Sequence, residues 1–316
     1  MLVLGLGAAS HALTVMAQTL PDKPIRVIVP VVAGASMDAR MRTIGSALTQ
    51  QLKRQVIIEN KPGAGGSLGA AFVAQSAPDG MTLLFTNNSF AINPFVYKNA
   101  GYDPLKSFVP VNRAYVAPLV VVIGAQVQAN SLQELVALAK VRPESLNYGS
   151  SGQGSVPHFA TESFFRLTGI SLLHIPFKGD VQALIEVLGG RVSLVFSGVL
   201  AAQPHIKSGK LRALAVTSAQ RIAALDNVPT LREAGYPTYD DTIWAGFFAP
   251  AATPKGVVEF LNREISTALS SPALRARLDA TGAEVATLSL AQYAVFIQGE
   301  LARYAKLVKE LGVGLE

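Results

Sequence analysis

The chain of 316 residues contains no cysteine and few charged residues, which make up 15% of the sequence. Without cysteine there is no disulfide framework, no thiolate nucleophile and no thiolate ligand for a metal ion. The four histidines, His11, His158, His174 and His205, are never paired at the spacing of metal ligands, so no structural metal is predicted. These absences exclude small disulfide-linked domains and zinc-stabilised modules.

The basic residues are scattered, although 27 lysines and arginines exceed 21 aspartates and glutamates and give a formal net charge of +6. The longest basic run is the pair Lys53-Arg54, and no aromatic residues alternate with it, so nucleic acid is not a predicted partner. A dispersed positive charge suits the attraction of small anions. The length fits two lobes of about 150 residues, each with its own core.

The N-terminal segment, residues 1–17, has no charged side chain and ends in Val15-Met16-Ala17, a small-x-small pattern. It predicts a secretory signal peptide cut before Gln18, and therefore a periplasmic protein. A short membrane anchor or a buried helix is the alternative interpretation. The apolar stretch falls short of the roughly 20 residues that span a bilayer, which favours the signal peptide.

Short β-branched runs alternate with helical stretches after Pro24, and each run ends in a loop rich in glycine, serine or proline. The pattern restarts after the apolar run Leu119–Ile123, which marks a second lobe. It predicts an α/β fold of two lobes, each a mostly parallel sheet flanked by helices, with a ligand crevice at the carboxyl ends of the strands. The first unit is a strand at Ile25–Val29, a loop at Pro30–Ser36 and a helix at Met37–Lys53.

Catalytic signatures are incomplete. The segment Gly149–Gln153 breaks the GxSxG pattern at its last position, and Gly63–Leu68 lacks the third glycine of GxGxxG. There is also no GxxxxGK[ST] phosphate loop. His158 and His174 are interpreted as packing or capping residues rather than general bases. The sequence therefore predicts no catalytic residue, no metal and no cofactor.

Two loops offer backbone amides to an anion. Val31–Ser36 and Gly149–Ser155 each lie between a predicted strand and a helix start, where N–H groups lack helical partners. Asp38 is predicted to cap the first of these helices. The alternative is that both loops are ordinary strand-to-helix turns with an N-cap serine. Their corresponding positions in the two lobes favour a shared anion site.

Other loops follow neighbouring strands and are expected on the same rim. These are Asn60–Gly66 and Asn87–Ser89, each predicted to contact ligand or simply to turn the chain. Lys178 is a candidate for attracting an anion, or else a solvated turn residue. Trp244 and Phe247 are predicted core residues, with the cleft wall as the alternative.

Seven blocks of sequence, taken together in their order and spacing, are typical of one family. They are Pro24–Pro30, Glu59–Gly66, Pro78–Gly80, Tyr148–Ser155 followed by His158, Pro176–Gly179, His205–Thr217 and Val228–Thr230. Over essentially the whole chain after residue 17, the sequence resembles the Bug-type extracytoplasmic solute receptors, the substrate-binding subunits of tripartite tricarboxylate transporters.

The resemblance implies a type II periplasmic binding protein that closes on a small di-, tri- or aromatic carboxylate and delivers it to a membrane permease. It implies a receptor without catalytic function or cofactor, and a monomer is expected. The expected lobes are residues 18–117 with 240–316, and residues 118–239, with hinge crossings near Pro118 and Tyr239. A ligand-sensing receptor of a signalling system is the alternative, and an α/β hydrolase or dehydrogenase is a further one.

The chain departs from the family pattern in two places. Val31 stands where the family has an aromatic residue, and Gly34-Ala35 replaces a Gly-Gly pair. Ser197 replaces an aspartate, which favours a plain di- or aromatic carboxylate over an amino acid. The predicted ligand-binding residues are Val32, Ala33, Gly34, Ala35, Ser36, Met37, Asn87, Ser150, Ser151, Gly152, Ser155, His158, Lys178 and Ser197.

Overall fold

In a computed structural model, residues 20–239 and 241–313 of the chain are described. The predicted signal peptide, residues 1–17, lies outside these ranges. In chain order the helices and strands are β1 (Ile25–Val29), α1 (Ser36–Leu52), β2 (Val56–Asn60), α2 (Ser67–Ala74), β3 (Thr82–Asn87), α3 (Ser89–Val96), β4 (Phe108–Ala117), β5 (Leu119–Gly124), α4 (Leu132–Val141), β6 (Asn147–Ser150), α5 (Val156–Thr168), β7 (Leu173–Pro176), α6 (Asp180–Leu188), β8 (Leu194–Gly198), α7 (Val199–Lys207), β9 (Leu211–Val216), β10 (Ile243–Pro250), α8 (Lys255–Ser270), α9 (Pro272–Asp279), β11 (Glu284–Val285) and α10 (Leu290–Leu311).

Two sheets form the centres of two lobes. The first has the strand order β11-β4-β10-β3-β1-β2, and the second has β7-β6-β8-β5-β9. The predicted two-lobed α/β fold is confirmed. The sheets are mixed rather than mostly parallel, because β10 and β4 in the first sheet and β5 in the second pair antiparallel with their neighbours. Strand β4 leads into β5 through Pro118 alone, so the chain passes directly from the first sheet into the second.

The predicted strand-loop-helix units are present, with ends shifted by a few residues. The sequence does not predict α3 or α7, each of which contains an internal proline, Pro94 and Pro204. Proline is uncommon within a helix because it removes a hydrogen bond, so these segments read as loops. Strands β4 and β10 were also not predicted, although β10 places Trp244 and Phe247 in the core as expected.

Helices cover both faces of each sheet and bury apolar side chains against it. In the first lobe α1, α8 and α9 pack on one face, and α2, α3 and α10 pack on the other. In the second lobe α4 and α5 cover one face, and α6 and α7 cover the other. The N-terminal turn of α5 also joins the core of the first lobe through Val156 and Phe159. One helix is therefore packed against both lobes.

The chain passes between the lobes twice, from β4 into β5 and from β9 into β10. The exact lobe boundaries at 117/118 and 239/240 stay a prediction, and residue 240 is itself outside the described ranges. Within residues 20–239 and 241–313, no helix combines the length and hydrophobicity needed to cross a membrane.

Candidate functional site

A cavity of about 560 Å³ lies between the lobes. The first lobe contributes the loop and helix start after β1, the loop after β2 and the end of β3. The second lobe contributes the loops after β6 and β7 and the end of β8. The two glycine-and-serine loops therefore meet at one cavity, at the carboxyl ends of strands, where an α/β sheet places its ligand crevice.

The start of α1 presents unpaired amides to this cavity. Its N-cap residue, Ala35, has no side chain that caps the helix. The N–H groups of Ser36 and Met37 have no hydrogen-bond acceptor among the described residues, as expected for the first turn of a helix. Both residues line the cavity and are largely buried. Together with the positive end of the helix dipole, they form a site for an anion.

Asp38 holds the loop before α1 in place. Its Oδ2 accepts hydrogen bonds from the Gly34 N–H at 2.9 Å and from Arg42 Nε at 3.0 Å, and its Oδ1 accepts one from Asn60 Nδ2 at 2.9 Å. Burial alone would raise the pKa of Asp38, but these hydrogen bonds outweigh it and hold the pKa below its usual range. The Asp38 carboxylate thus binds the loop before α1 rather than the first amides of the helix, and it does not line the cavity.

The start of α5 offers the corresponding group from the second lobe. Ser155 is the N-cap residue, but its side chain makes no cap hydrogen bond. Its Oγ is buried and has no hydrogen-bond partner among the described residues, and the residue lines the cavity. An unpaired buried hydroxyl is costly, so Ser155 marks a polar position at the cavity wall whose partner the described residues do not supply.

A stack of aromatic rings supports the second-lobe loop from behind. The rings of His158 and His174 lie parallel with their centroids 4.1 Å apart, and His174 in turn stacks on Tyr148. His158 Nδ1 accepts a hydrogen bond from the Gly154 N–H at 3.2 Å, and Ser150 Oγ lies 2.7 Å from His174 Nε2. The two histidines therefore fix the loop at both ends.

Both stacked histidines are neutral at ordinary pH. Burial, together with the neighbouring His174, lowers the pKa of His158 to about 3. Burial likewise lowers the pKa of His174 to about 4. Neutral rings can stack closely without charge repulsion, which explains how the pair is accommodated. This agrees with the sequence interpretation of packing residues rather than bases.

Three charged side chains line the cavity, namely Arg40, Lys178 and Asp180. Arg40 is buried, donates to the Thr281 carbonyl at 2.7 Å and lies over the Tyr115 ring, so its neighbours there are neutral. Lys178 is exposed. The two cations and the Asp180 carboxylate together give the described cavity wall a formal net charge of +1.

The lobes touch each other across the cavity. Ser36 Oγ in the first lobe donates to Asp180 Oδ2 in the second lobe at 2.6 Å. Tyr97 Oη donates to the Gln153 carbonyl at 3.3 Å. Gly198 packs so tightly beside Ser36 that a Cβ built on it would lie 2.9 Å from Ser36 Oγ. These contacts exist only when the lobes are close together.

The remaining wall is mostly apolar. The side chains of this kind are Pro30, Val31, Val32, Ala35, Met37, Pro62, Ala64, Leu119, Val156, Pro157, Phe177 and Ile243. A wall of this composition favours a ligand that combines one polar end with a compact apolar body. In the described part of the chain, no group of three or more histidine or acidic side chains is arranged to hold a metal ion.

Nine of the fourteen predicted ligand-binding residues line the cavity. They are Val32, Ala35, Ser36, Met37, Asn87, Ser151, Gly152, Ser155 and Lys178. For all fourteen residues, contact with a ligand stays a prediction.

The structure places the other five predicted residues outside the cavity wall. Ala33 and Gly34 are exposed and are not part of the cavity wall, and the Gly34 amide is already bound to Asp38. Ser150 and His158 are buried behind the second loop, where they support it. Ser197 is fully buried in β8, one residue before the wall.

Several wall residues were not predicted. Arg40 lies one helical turn after Ser36, so the i, i+4 spacing signals a shared helix face. Asp180 is the first residue of α6, two positions after Lys178, on a rim already expected to carry ligand contacts. Because Asp180 lines the cavity, the wall has a carboxylate although Ser197 stands where the family has an aspartate.

Comparisons with known proteins agree over nearly the whole chain. A family model described as "Tripartite tricarboxylate transporter family receptor" matches residues 40–313. The chain is 36% identical to Protein BugT of Bordetella pertussis over 313 residues, which covers 98% of this chain and 96% of BugT.

Two solved structures are similar along their full length. The periplasmic binding protein BugD has a TM-score of 0.88 at 32% identity, covering 94% of this chain and 100% of that one. R. palustris Rpa4515, solved with adipate, has a TM-score of 0.89 at 31% identity, covering 94% and 99%.

Proposed function

The chain belongs to the tripartite tricarboxylate transporter receptor family, in which Bug-type proteins bind solutes without catalysis, and we propose that it binds a small carboxylate between its lobes and delivers it to a membrane permease. The carboxylate is the chemical class that the adipate of Rpa4515 exemplifies. The periplasm, reached by cleavage of residues 1–17, is the compartment that fits this role, and a monomer is sufficient for it.

One observation supports the proposal above all others: residues with unpaired polar groups, contributed by both lobes, line the same cavity. Ser36 and Met37 contribute backbone amides from the first lobe, and Ser155 contributes a buried hydroxyl from the second. Amides at a helix start bind a carboxylate without a positively charged side chain. A ligand that spans both sets of donors stabilises the closed arrangement of the lobes.

Delivery to a permease follows from closure. The contact of Ser36 with Asp180 and that of Tyr97 with Gln153 exist only while the lobes are together. A ligand that bridges the lobes increases the closed population by its differential affinity for the two arrangements. A permease that recognises the closed surface then receives loaded receptor in preference to empty receptor.

The test is a thermal-shift screen of the protein, expressed without residues 1–17, against a panel of mono-, di-, tri- and aromatic carboxylates. A true ligand at a hundredfold excess over its Kd adds about 2.7 kcal/mol of stability, which is readily detected. Each hit is then titrated calorimetrically, and one-to-one binding without turnover is the expected result. Absence of saturable binding to every member of the panel contradicts the proposal.

Transport is tested separately in cells. Deletion of the receptor gene is expected to abolish uptake of the identified radiolabelled carboxylate, and expression of the full chain from a plasmid is expected to restore it. Normal uptake in the deletion strain would show that the bound carboxylate serves another purpose, such as sensing.

A further inference from the structure

Arg40 is a buried cation in the wall of the cavity. It lies in α1, one helical turn after Ser36, and only 3% of the residue is exposed. A charge that is taken out of water is costly unless hydrogen bonds and an opposite charge compensate it. The contacts of the guanidinium group therefore decide whether the protein itself balances this charge.

The guanidinium group of Arg40 is held by neutral neighbours. Its Nε donates to Thr281 Oγ1 at 3.2 Å, and its Nη2 donates to the Thr281 carbonyl at 2.7 Å. The guanidinium carbon lies 5.4 Å from the centre of the Tyr115 ring. These contacts fix the orientation of the side chain, but they bring no negative charge, and Nη1 is not engaged by Thr281.

No acidic side chain in the part of the chain that the structure describes forms an ion pair with Arg40. Asp38 of the same helix pairs instead with Arg42, at 3.0 Å. Asp180 is the one carboxylate among the described residues of the wall, and it accepts the hydrogen bond from Ser36 Oγ at 2.6 Å. The positive charge of Arg40 is thus left to be balanced by something in the cavity.

The second cation of the wall is placed differently. Lys178 is exposed, so solvent and salt screen its charge. Arg40 is buried among apolar and neutral groups, where an electrostatic interaction is screened much less. Of the two cations, Arg40 is therefore the one whose charge acts strongly on a molecule inside the cavity.

We propose that Arg40 is a specificity-determining residue, whose charge makes the cavity prefer a carboxylate over an uncharged ligand of the same shape. The inference rests on the proposed carboxylate-binding function and assigns the charge selectivity of that site to one side chain. The amides at the start of α1 position the carboxylate, and Arg40 contributes a charged donor from the next turn of the same helix face. Because Thr281 already fixes the side chain, little conformational entropy is lost when the ligand binds.

The test compares acids with amides, in which a carboxamide replaces one carboxylate and keeps its planar shape. The probes are benzoate, hexanoate, succinate and adipate, titrated calorimetrically beside benzamide, hexanamide, succinamate and adipamate. The wild type is expected to prefer the acid by roughly 10- to 100-fold in the best-binding pair, the range that corresponds to a hydrogen bond with a charged group.

The variant Arg40→Gln removes the charge and keeps a donor for the Thr281 carbonyl. It is expected to reduce the preference for the acid by about tenfold, whereas Arg40→Lys, which keeps the charge, should retain most of it. A role confined to anchoring Thr281 would leave the ratio of the two Kd values unmoved in both variants. Arg40→Met is the further variant if Arg40→Gln unfolds, and a melting curve of each establishes that it is folded.

The matched control is Arg277→Gln, which removes an exposed positive charge from α9 of the same lobe and should leave the ratio unchanged. If the wild type binds acid and amide equally, or if Arg40→Gln keeps the wild-type ratio, the inference is overturned and the receptor function stands. The same holds if Arg40→Lys loses the preference as completely as Arg40→Gln does. If only another carboxylate of the screen binds, that acid and its carboxamide give the same comparison. If no carboxylate of any kind binds, the proposed function fails first.

Discussion

Gly198→Ala should weaken ligand binding while leaving the fold of each lobe intact. Gly198 has φ −60° and ψ 134°, which alanine adopts without strain. The new Cβ would lie 2.9 Å from Ser36 Oγ and 3.3 Å from Asp180 Oδ2. The first distance is too short, so the serine must move away and lose its hydrogen bond across the lobes. Nothing within a single lobe is lost.

The magnitude follows from that hydrogen bond. A hydrogen bond to a charged group contributes about 1.5–3 kcal/mol, and each 1.4 kcal/mol corresponds to about a tenfold change in an equilibrium constant. Because the penalty applies only to the closed arrangement, it appears in the measured Kd when the empty protein is mainly open. We therefore expect a Kd raised by about 10- to 100-fold.

The assay is calorimetric titration of wild type and variant with the best carboxylate from the screen, beside small-angle scattering with and without ligand. At the same ligand concentration, the radius of gyration of the variant should decrease less than that of the wild type. The melting temperature of the variant without ligand should match that of the wild type. Gly189→Ala is the control, because there the new Cβ meets only the flexible Arg191 side chain. If the Kd of Gly198→Ala stays within twofold of the wild-type value, the Ser36–Asp180 hydrogen bond does not stabilise the closed arrangement of the lobes, and the reasoning is refuted.

Three further predictions concern single groups. Ser155→Ala should raise the Kd about tenfold and leave the free energy of unfolding unchanged, because its Oγ has no protein partner among the described residues; a loss of stability with normal affinity would contradict this. The pKa values of His158 and His174 are lower in the folded protein than the usual 6.5, so the unfolded chain binds more protons and stability should fall as the pH drops from about 6.5 toward 4. Urea titrations across that range check this, His174→Gln should flatten the dependence, and a pH-independent wild type would exclude it. Gly299→Ala, in the exposed interior of α10 with open space around its Cβ, should stabilise the protein by about 0.5–1 kcal/mol in denaturant titrations without changing the Kd.

The regular elements were predictable because their signals are local. The apolar run Leu119–Ile123 became the interior strand β5, and the strand predicted at Ile25–Val29 has the same limits in the structure. Prolines explain two failures, since Pro94 and Pro204 lie within helices whose packing outweighs the cost of the missing hydrogen bond. Local sequence preferences predicted the strand-loop-helix units. They did not predict strands β4 and β10, which pair antiparallel with their neighbours.

The candidate site was predicted at the level of loops and not of side chains. A loop that follows a strand must lie on the sheet's rim, so the sequence alone indicates that Ser36 and Ser155 belong to one crevice. It does not indicate which side of a loop faces inward. Neither Gly34 nor His158 lines the cavity, because the Gly34 amide is bound to the Asp38 carboxylate and the His158 ring is stacked on His174 and bound to the Gly154 amide.

The sequence by itself determined the two-lobed α/β fold, the receptor family and the loops that carry the donors, since these depend on periodicity, turn residues and motif order. Only the tertiary structure brought Arg40, Asp180 and Gly198 together, from three segments far apart in the chain. Their meeting depends on how one lobe packs against the other, a global property to which each short segment contributes little. The charge distribution of the cavity wall is therefore set by the lobe interface.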